Sequence, residues 1–176
     1  MRALIGLGGN MPRSRDALGA AVAATRIIRD VKSVSSLYRS APKELENQQD
    51  FLNAALSLET DLAPRPLLAE LKAIERRLGR DPLGERFGPR LIDLDILAID
   101  DLCIEDVPDL VVPHPRLAER RFALEPLAEL DPDLRPWAAC PVEHRDRTVA
   151  EALAAVMDQD VEVVEGPGWA GVIGQS

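Results

Sequence analysis

The sequence is short of cysteine and of aromatic residues. Its 176 residues contain two cysteines, Cys103 and Cys140, and only 3% of the residues are aromatic. The cysteines lie far apart and lack the paired spacing of a zinc site or a disulfide framework, so we expect neither. A chain without disulfides is typical of a reducing compartment, and we expect the cytoplasm.

Positive charge and long apolar runs are also scarce. Acidic residues outnumber basic ones by 30 to 21, which gives a formal net charge of -9. Binding to nucleic acid needs a surplus of Lys and Arg that displaces counterions from phosphates, so we expect no nucleic-acid partner. No apolar run reaches the roughly 18 residues of a membrane helix, and the N-terminus lacks the features of a signal peptide. We therefore expect no membrane partner.

The pattern of apolar residues predicts an α+β fold. With 46% hydrophobic residues the chain can bury one core, and we expect a single domain over residues 1–160 and an irregular tail over 161–176. The predicted strands span residues 3–7, 31–39, 51–60, 91–99 and 110–112, and the predicted helices span 16–29, 64–79 and 148–157. This order matches a ferredoxin-like split βαβ fold, with a mainly antiparallel sheet and helices packed on one face.

Two polar segments, 43–50 and 80–89, are predicted to be mobile loops. A cluster of basic residues overlaps the second loop in an otherwise acidic protein and suggests a site for a small anion. The cluster consists of Arg76, Arg77, Arg80, Arg86 and Arg90. A solvated helix face is the alternative interpretation, above all for the adjacent arginines 76 and 77.

Asp93 and Asp95 are the strongest indication of chemistry. Strand alternation sends both carboxylates to one face and Ile92, Leu94 and Ile96 to the other. Neighbouring carboxylates repel unless a cation lies between them, and Mg²⁺ takes one or two protein carboxylates together with water and phosphate oxygens. With the nearby arginines, the pair indicates a magnesium-nucleotide site for phosphoryl transfer. The alternative is the solvated edge of a half-exposed strand.

Ordered motifs give the sequence a resemblance to a known family. The most specific motif is Arg86-Phe87-Gly88-Pro89-Arg90, followed by Asp93-Leu94-Asp95-Ile96. The supporting motifs are Gly8-Gly9-Asn10, Ser36-Leu37-Tyr38-Arg39-Ser40, Asp50-Phe51-Leu52-Asn53-Ala54 and Val112-Pro113-His114-Pro115. Over residues 3–157 the chain resembles the 6-hydroxymethyl-7,8-dihydropterin pyrophosphokinases of folate biosynthesis.

The resemblance implies a monomeric enzyme that transfers the pyrophosphoryl group of ATP to the hydroxymethyl oxygen of the pterin, with two Mg²⁺ ions, and releases AMP. By matched position it implies catalytic roles for Arg80, Arg90, Asp93 and Asp95, with both aspartates as magnesium ligands. The residues implied to bind the nucleotide are Lys72, Glu75, Arg80, Phe87, Arg90, Ile96, His114, Pro115 and Arg120. The residues implied to bind the pterin are Ser40, Ala41, Phe51, Asn53 and Phe122. The aromatic rings of Phe51 and Phe122 suit a flat heterocycle.

Two departures from the family pattern fall in the second loop. Pro82 stands where the family often has a further arginine, which implies one phosphate contact fewer and a stiffer loop. Phe87 replaces a common tryptophan. A competing hypothesis is a ferredoxin-like small-molecule-binding or regulatory module without catalysis, and a third is a weakened relative that keeps the fold. The intact set of aspartates and arginines favours the enzyme.

Overall fold

The computed structural model describes residues 1–42, 48–81, 88–106 and 110–171. Its strands are β1 (Arg2–Gly9), β2 (Asp30–Val34), β3 (Leu37–Ser40), β4 (Phe51–Glu59), β5 (Asp93–Ile99), β6 (Ile104–Asp106), β7 (Leu110–Val112) and β8 (Val161–Glu165). Its helices are α1 (Ser14–Ile28), α2 (Pro64–Arg77), α3 (Arg121–Leu130) and α4 (Val149–Ala154), with a 3₁₀ turn at Leu117–Glu119. Both predicted loops lie partly outside the described residues, at 43–47 and 82–87.

β1 lies inside the main sheet, between β4 and the edge strand β5. The strand order is β5-β1-β4-β3-β8, β2 also pairs with β4, and every pairing is antiparallel. β1, α1, the β2–β3 segment, β4, α2 and β5 follow one another as in a ferredoxin-like split βαβ unit. The predicted fold class is confirmed.

The predicted strand at 31–39 is interrupted at Ser35 and Ser36, which separate β2 from β3. Ser35 still pairs with Ala55 of β4, because its backbone N–H donates to the Ala55 carbonyl and its hydroxyl accepts from the Ala55 N–H, both at 2.9 Å. The Ser36 N–H instead donates to the Glu129 carboxylate of α3 at 2.8 Å. A side chain from another element therefore takes the place of a strand partner at this point.

α1 and α2 pack against one face of the sheet, as predicted. Their buried residues Leu18, Val22, Leu67 and Leu71 belong to the same core cluster as Ile5 of β1. Apolar residues at helical spacing on each helix supply this contact, and alternation along β1 supplies the matching sheet surface.

α3 and α4 pack against the opposite face, which adds a layer to the predicted arrangement. Their second core cluster contains Leu4 of β1, Leu97 of β5, Leu124 and Leu127 of α3, and Val149 of α4. The sequence did not predict α3. None of the described helices is long and apolar enough to cross a membrane.

The prediction of an irregular tail over 161–176 is wrong for its first part, because Val161–Glu165 forms β8 and pairs with β3. Trp169, which follows this strand, is buried and donates its Nε1–H to the Ser35 carbonyl at 2.8 Å. The tail therefore extends the sheet and covers the break between β2 and β3. Residues 172–176 lie outside the described part of the chain.

Cys103 and Cys140 form a disulfide, so the expectation of none is wrong. Their Cα atoms lie 5.3 Å apart although 37 positions separate them in the sequence. The fold brings the turn after β5 to the segment after α3, and cysteine spacing in the sequence cannot show such a contact.

Candidate active site

β5 forms one edge of the sheet and carries both aspartates on the face opposite α1 and α2. Ile96 lies in the core on the helix side, so the predicted alternation is confirmed. Asp93 lies opposite Gly8 of β1, and Asp95 lies opposite Gly6. Because the neighbouring residues are glycines, no side chain from β1 fills the space beside the two carboxylates.

The aspartates line a cavity of about 220 Å³. The predicted site residues that line it are Ser40, Ala41, Phe51, Asn53, Arg90, Asp93, Asp95, His114, Arg120 and Phe122. Lining residues that the sequence did not predict are Gly6, Leu7, Gly8, Ala54, Leu97, Arg116 and Ala123. Carboxylates, cationic groups and aromatic rings therefore share one cavity.

Asp93 is surrounded by cations. Arg80 Nη1 contacts its Oδ1, Arg90 Nη1 contacts its Oδ2, and Lys72 Nζ lies 3.5 Å from its Oδ1. Burial alone would raise the pKa of Asp93, but the three cations outweigh burial and hold this pKa below its usual value. The Asp93 carboxylate is therefore ionised at neutral pH, and it keeps both predicted catalytic arginines beside the cavity.

Glu75 connects α2 to this cluster. Its carboxylate is 2% exposed and accepts hydrogen bonds from the Leu94 N–H at 2.6 Å, from Lys72 Nζ at 2.7 Å and from Arg80 Nη1 at 2.6 Å. Burial raises the pKa of Glu75, and the Lys72 ammonium acts in the opposite direction. Glu75 is not among the described residues that line the cavity, so it acts on the cavity through the groups that it holds.

Asn10 fixes the backbone of Arg90. Asn10 is 4% exposed. Its backbone N–H donates to the Arg90 carbonyl, and its side-chain Oδ1 accepts from the Arg90 backbone N–H, both at 2.9 Å. Gly9 permits this close approach, since a Cβ there would lie 2.5 Å from the Leu91 carbonyl oxygen. The Arg90 guanidinium lies 5.7 Å from the centroid of the Phe51 ring, so this arginine joins the acidic and aromatic parts of the cavity.

Phe51 and Phe122 contribute aromatic rings from β4 and α3. Asn53, two residues beyond the first ring on β4, donates its Nδ2–H to Ser40 Oγ at 3.0 Å. The Arg120 guanidinium lies 5.4 Å from the centroid of the Phe122 ring. Flat apolar surfaces and a hydrogen-bonding amide thus line the same cavity, and this combination suits a flat heterocycle with polar edges.

His114 reaches the cavity from the segment after β7. Its backbone N–H donates to the Leu97 carbonyl at 2.9 Å, and its Nδ1 accepts from the Arg116 N–H at 3.3 Å. Burial lowers the pKa of His114, although Asp95 acts against this effect. The neutral imidazole is therefore favoured relative to an exposed histidine.

Five described residues predicted to bind the nucleotide are not among the residues that line the cavity, namely Lys72, Glu75, Arg80, Ile96 and Pro115. The first three belong to the ion-pair cluster around Asp93. The side chain of Ile96 is 4% exposed and packs in the core on the opposite face, so only its backbone could contact a ligand in the cavity. Pro115 is exposed to solvent and is not a lining residue. Another, Phe87, lies outside the described residues.

The sequence model of the 7,8-dihydro-6-hydroxymethylpterin-pyrophosphokinase (HPPK) family matches residues 4–132. The chain belongs to this family. A 2-amino-4-hydroxy-6-hydroxymethyldihydropteridine pyrophosphokinase from Methylorubrum extorquens is 41% identical and aligns with 93% of this chain and 99% of its own length. A relative of the same name from Pseudomonas aeruginosa is 40% identical over 83% of this chain and 96% of its own length. The predicted family is confirmed.

Solved HPPK-DHPS structures share the fold. The wild-type Plasmodium falciparum HPPK-DHPS gives a TM-score of 0.65 at 14% identity and covers 88% of this chain. An HPPK-DHPS in complex with substrates gives a TM-score of 0.64 at 12% identity. This chain spans 40% and 43% of those longer chains. At such low identity the likeness shows the fold alone.

Leu97 and Arg116 are residues of the HPPK cavity that the sequence did not predict as site residues. Leu97 shares its side of β5 with Asp93 and Asp95, so the alternation that identified the aspartates also points to it. Arg116 follows His114 by two residues, and its N–H donates to the imidazole. In the sequence, this arginine could have been identified as a site residue from its place next to the proline-flanked histidine.

The donor set of the HPPK cavity fits a hard divalent cation. Asp93 and Asp95 present carboxylates from alternate positions of one strand, and Mg²⁺ is commonly held by one or two protein carboxylates. Among the described residues no group of three or more His, Cys, Asp and Glu side chains could enclose a metal ion. A cation held by the two aspartates would therefore keep most coordination positions for water and phosphate oxygens.

Proposed function

We propose that this chain transfers the pyrophosphoryl group of ATP to the hydroxymethyl group of 6-hydroxymethyl-7,8-dihydropterin, giving AMP and the pterin diphosphate, in folate biosynthesis. The proposal depends above all on one observation, the single cavity lined by Asp93, Asp95, Arg90, Phe51 and Phe122. HPPK family membership and near-full-length relatives of that name support the same activity. We also propose magnesium dependence and a monomeric state. The Cys103–Cys140 disulfide removes the argument from cysteine content for a cytoplasmic location.

The pterin occupies the aromatic part of the cavity in this proposal. Phe51 and Phe122 stack on the two faces of the heterocycle, where rings supply apolar contact over a large area. Asn53 and the backbone at Ser40 and Ala41 bond to its polar edge. The Asn53–Ser40 hydrogen bond at 3.0 Å supports this role, because it holds the amide in one orientation.

The ATP polyphosphate lies against the cationic part of the cavity. Arg80 and Arg90 are already gathered beside the aspartates by their contacts with Asp93. His114 and Arg120 line the same cavity and provide further donors for phosphate oxygens.

The proposed transfer forms one O–P bond and breaks another. The pterin hydroxyl oxygen attacks the β-phosphorus of ATP, the bond from this phosphorus to the oxygen shared with the α-phosphate breaks, AMP leaves, and the hydroxyl proton passes to solvent. Arg80 and Arg90 neutralise the charge that develops on the phosphate oxygens. Asp93 and Asp95 would hold the two Mg²⁺ ions, which supply further charge neutralisation as Lewis acids.

An assay with ATP, the pterin and Mg²⁺ tests the proposal by measuring AMP and pterin diphosphate together. The Asp95→Asn variant keeps the size of the side chain, and we expect it to lose at least about 100-fold in rate. Asp101→Asn, at an exposed position outside the cavity, is the matched control and should keep the wild-type rate. No AMP from folded wild-type protein would contradict the proposal and favour a non-catalytic binding module.

A further inference from the structure

Lys72 places an ammonium group against the aspartate pair. Its Nζ lies 3.3 Å from Asp95 Oδ1 and 3.5 Å from Asp93 Oδ1. The same atom donates to Glu75 Oε1 at 2.7 Å and to the Leu94 carbonyl at 2.8 Å. One cation therefore contacts both proposed metal ligands and the backbone between them.

The ammonium is held in this position by buried groups. Glu75 is 2% exposed and is itself fixed by the Leu94 N–H, while Lys72 and Glu75 lie one turn apart on α2. The Lys72 side chain is 31% exposed, so it can still reach the cavity side of the edge strand. A fully exposed lysine would exchange partners freely, but the Nζ of Lys72 is held by its hydrogen bonds to Glu75 and to the Leu94 carbonyl.

A cation beside two carboxylates lowers their affinity for a second cation. A divalent ion on the same oxygens would lie a few ångströms from the ammonium, and like charges at this distance repel strongly even with partial solvation. Asp93 keeps Arg80 and Arg90 as partners if Lys72 is removed, so the loss of one charge should leave the cluster assembled. The charge of Lys72 thus affects metal affinity more than it affects the fold.

We propose that Lys72 is a positioning residue that weakens divalent-cation binding to Asp93 and Asp95 until a polyphosphate is bound. Phosphate oxygens bound beside the aspartates would add negative charge next to the anchored ammonium, so its repulsion of the metal is offset when metal and nucleotide are present together. Lys72 thereby couples the two binding events. The inference rests on the proposed function, because it takes the aspartates as metal ligands.

Calorimetric titration with Mg²⁺ alone tests this role without any turnover. Lys72→Met keeps the aliphatic stem and removes the charge, and we expect it to bind Mg²⁺ about tenfold more tightly than wild type or better when no nucleotide is present. Lys72→Arg keeps the charge and should retain the weak wild-type affinity. Lys32→Met, at an exposed lysine outside the cavity, is the matched control and should leave the affinity unchanged.

A second titration in the presence of α,β-methylene-ATP, which cannot be cleaved at the reacting bond, tests the coupling. The difference between wild type and Lys72→Met should shrink under these conditions, because the negative charge of the polyphosphate offsets the charge of the ammonium. An unchanged difference would overturn the proposed coupling. Circular dichroism and thermal melting establish that each variant is folded. A general loss of structure would weaken metal binding, whereas the proposal predicts that the charge-removing variant tightens it.

Two results separate the inference from the proposed function. A folded Lys72→Met protein that binds Mg²⁺ no more tightly than wild type would overturn the role of Lys72 and leave the pyrophosphokinase proposal intact. Wild-type protein that binds no Mg²⁺, with or without the analogue, would overturn the proposed metal role and the inference with it.

Discussion

The buried carboxylate of Glu75 accepts a hydrogen bond from the backbone N–H of Leu94 at 2.6 Å. Leu94 lies between Asp93 and Asp95 on the edge strand β5, where no strand of the described part of the chain pairs with its outward N–H. The Glu75 carboxylate of α2 accepts this N–H instead. The bond therefore ties α2 to the strand at the aspartate pair and explains why a residue outside the cavity affects its geometry.

Replacing Glu75 by alanine should destabilise the protein. The variant leaves the Leu94 N–H, Lys72 and Arg80 without their shared acceptor, and we expect a loss of about 3 kcal/mol in the free energy of unfolding. Urea denaturation measures this change. Glu162→Ala removes a carboxylate from an exposed ion pair and serves as control, since such pairs contribute little. A Glu75→Ala loss no larger than that of the control would contradict the anchoring role.

Phe122 should affect pterin binding separately from ATP binding. Replacement by leucine keeps an apolar side chain but removes the ring, and we expect the KM for the pterin to rise about tenfold, as stacking energies on aromatic residues imply. The KM for ATP should change little. Phe122→Tyr keeps the ring and is the matched control. Initial-rate kinetics with each substrate varied in turn would argue against stacking if both KM values rose equally.

Tyr38 should make stability fall in alkaline solution. Burial raises the pKa of its phenol, and the hydrogen bond to Glu129 at 2.7 Å adds to this effect. Above about pH 10 the phenol of the unfolded chain loses its proton while the folded protein retains it, so the free energy of unfolding decreases as pH rises. Tyr38→Phe should show a smaller decrease over this range.

The alkaline behaviour can also be observed directly. Tyr38 is the only tyrosine in the sequence, so its ionisation is followed by ultraviolet absorbance without overlap from other phenols. The folded protein should resist titration at the pH where free tyrosine titrates, and urea-unfolded protein should titrate normally. Identical titration curves for the two states would contradict the buried environment.

Reduction of the Cys103–Cys140 disulfide should lower stability. The bond closes a loop that contains His114, Arg120 and Phe122. Cross-linking 37 positions lowers the entropy of the unfolded chain, and we expect reduction to lower the free energy of unfolding by about 4 kcal/mol. Thermal or urea unfolding with and without a phosphine reductant measures the loss. The double variant Cys103→Ser with Cys140→Ser should be insensitive to reductant. An equal response of wild type and double variant would show that the thiols are unpaired in solution.

Local signals in the sequence predicted the core of the fold. α2 begins at Pro64 and carries its apolar residues at helical spacing, and α4 begins with a capping box formed by Thr148 and Glu151. Alternation along β5 placed Asp93 and Asp95 on one face. These features depend on residues near each other in the chain, which is why sequence alone could identify them.

The features that the sequence did not predict depend on contacts between distant segments. α3 has no side-chain cap at its start and contains Pro126, so its local pattern is weak, and packing on the sheet stabilises it. β8 forms because β3 offers an edge, and Trp169 reaches the Ser35 carbonyl across the chain. The contribution of Arg116 to the cavity likewise depends on tertiary packing.

The most direct test of the proposed function follows the β-phosphorus of ATP into product. The enzyme is incubated with Mg²⁺, the pterin and ATP labelled at the β-phosphate, and the products are separated by chromatography. We predict that the label appears in the pterin diphosphate and that unlabelled AMP forms in equal amount. Label recovered in ADP, with a pterin monophosphate as the other product, would contradict pyrophosphoryl transfer.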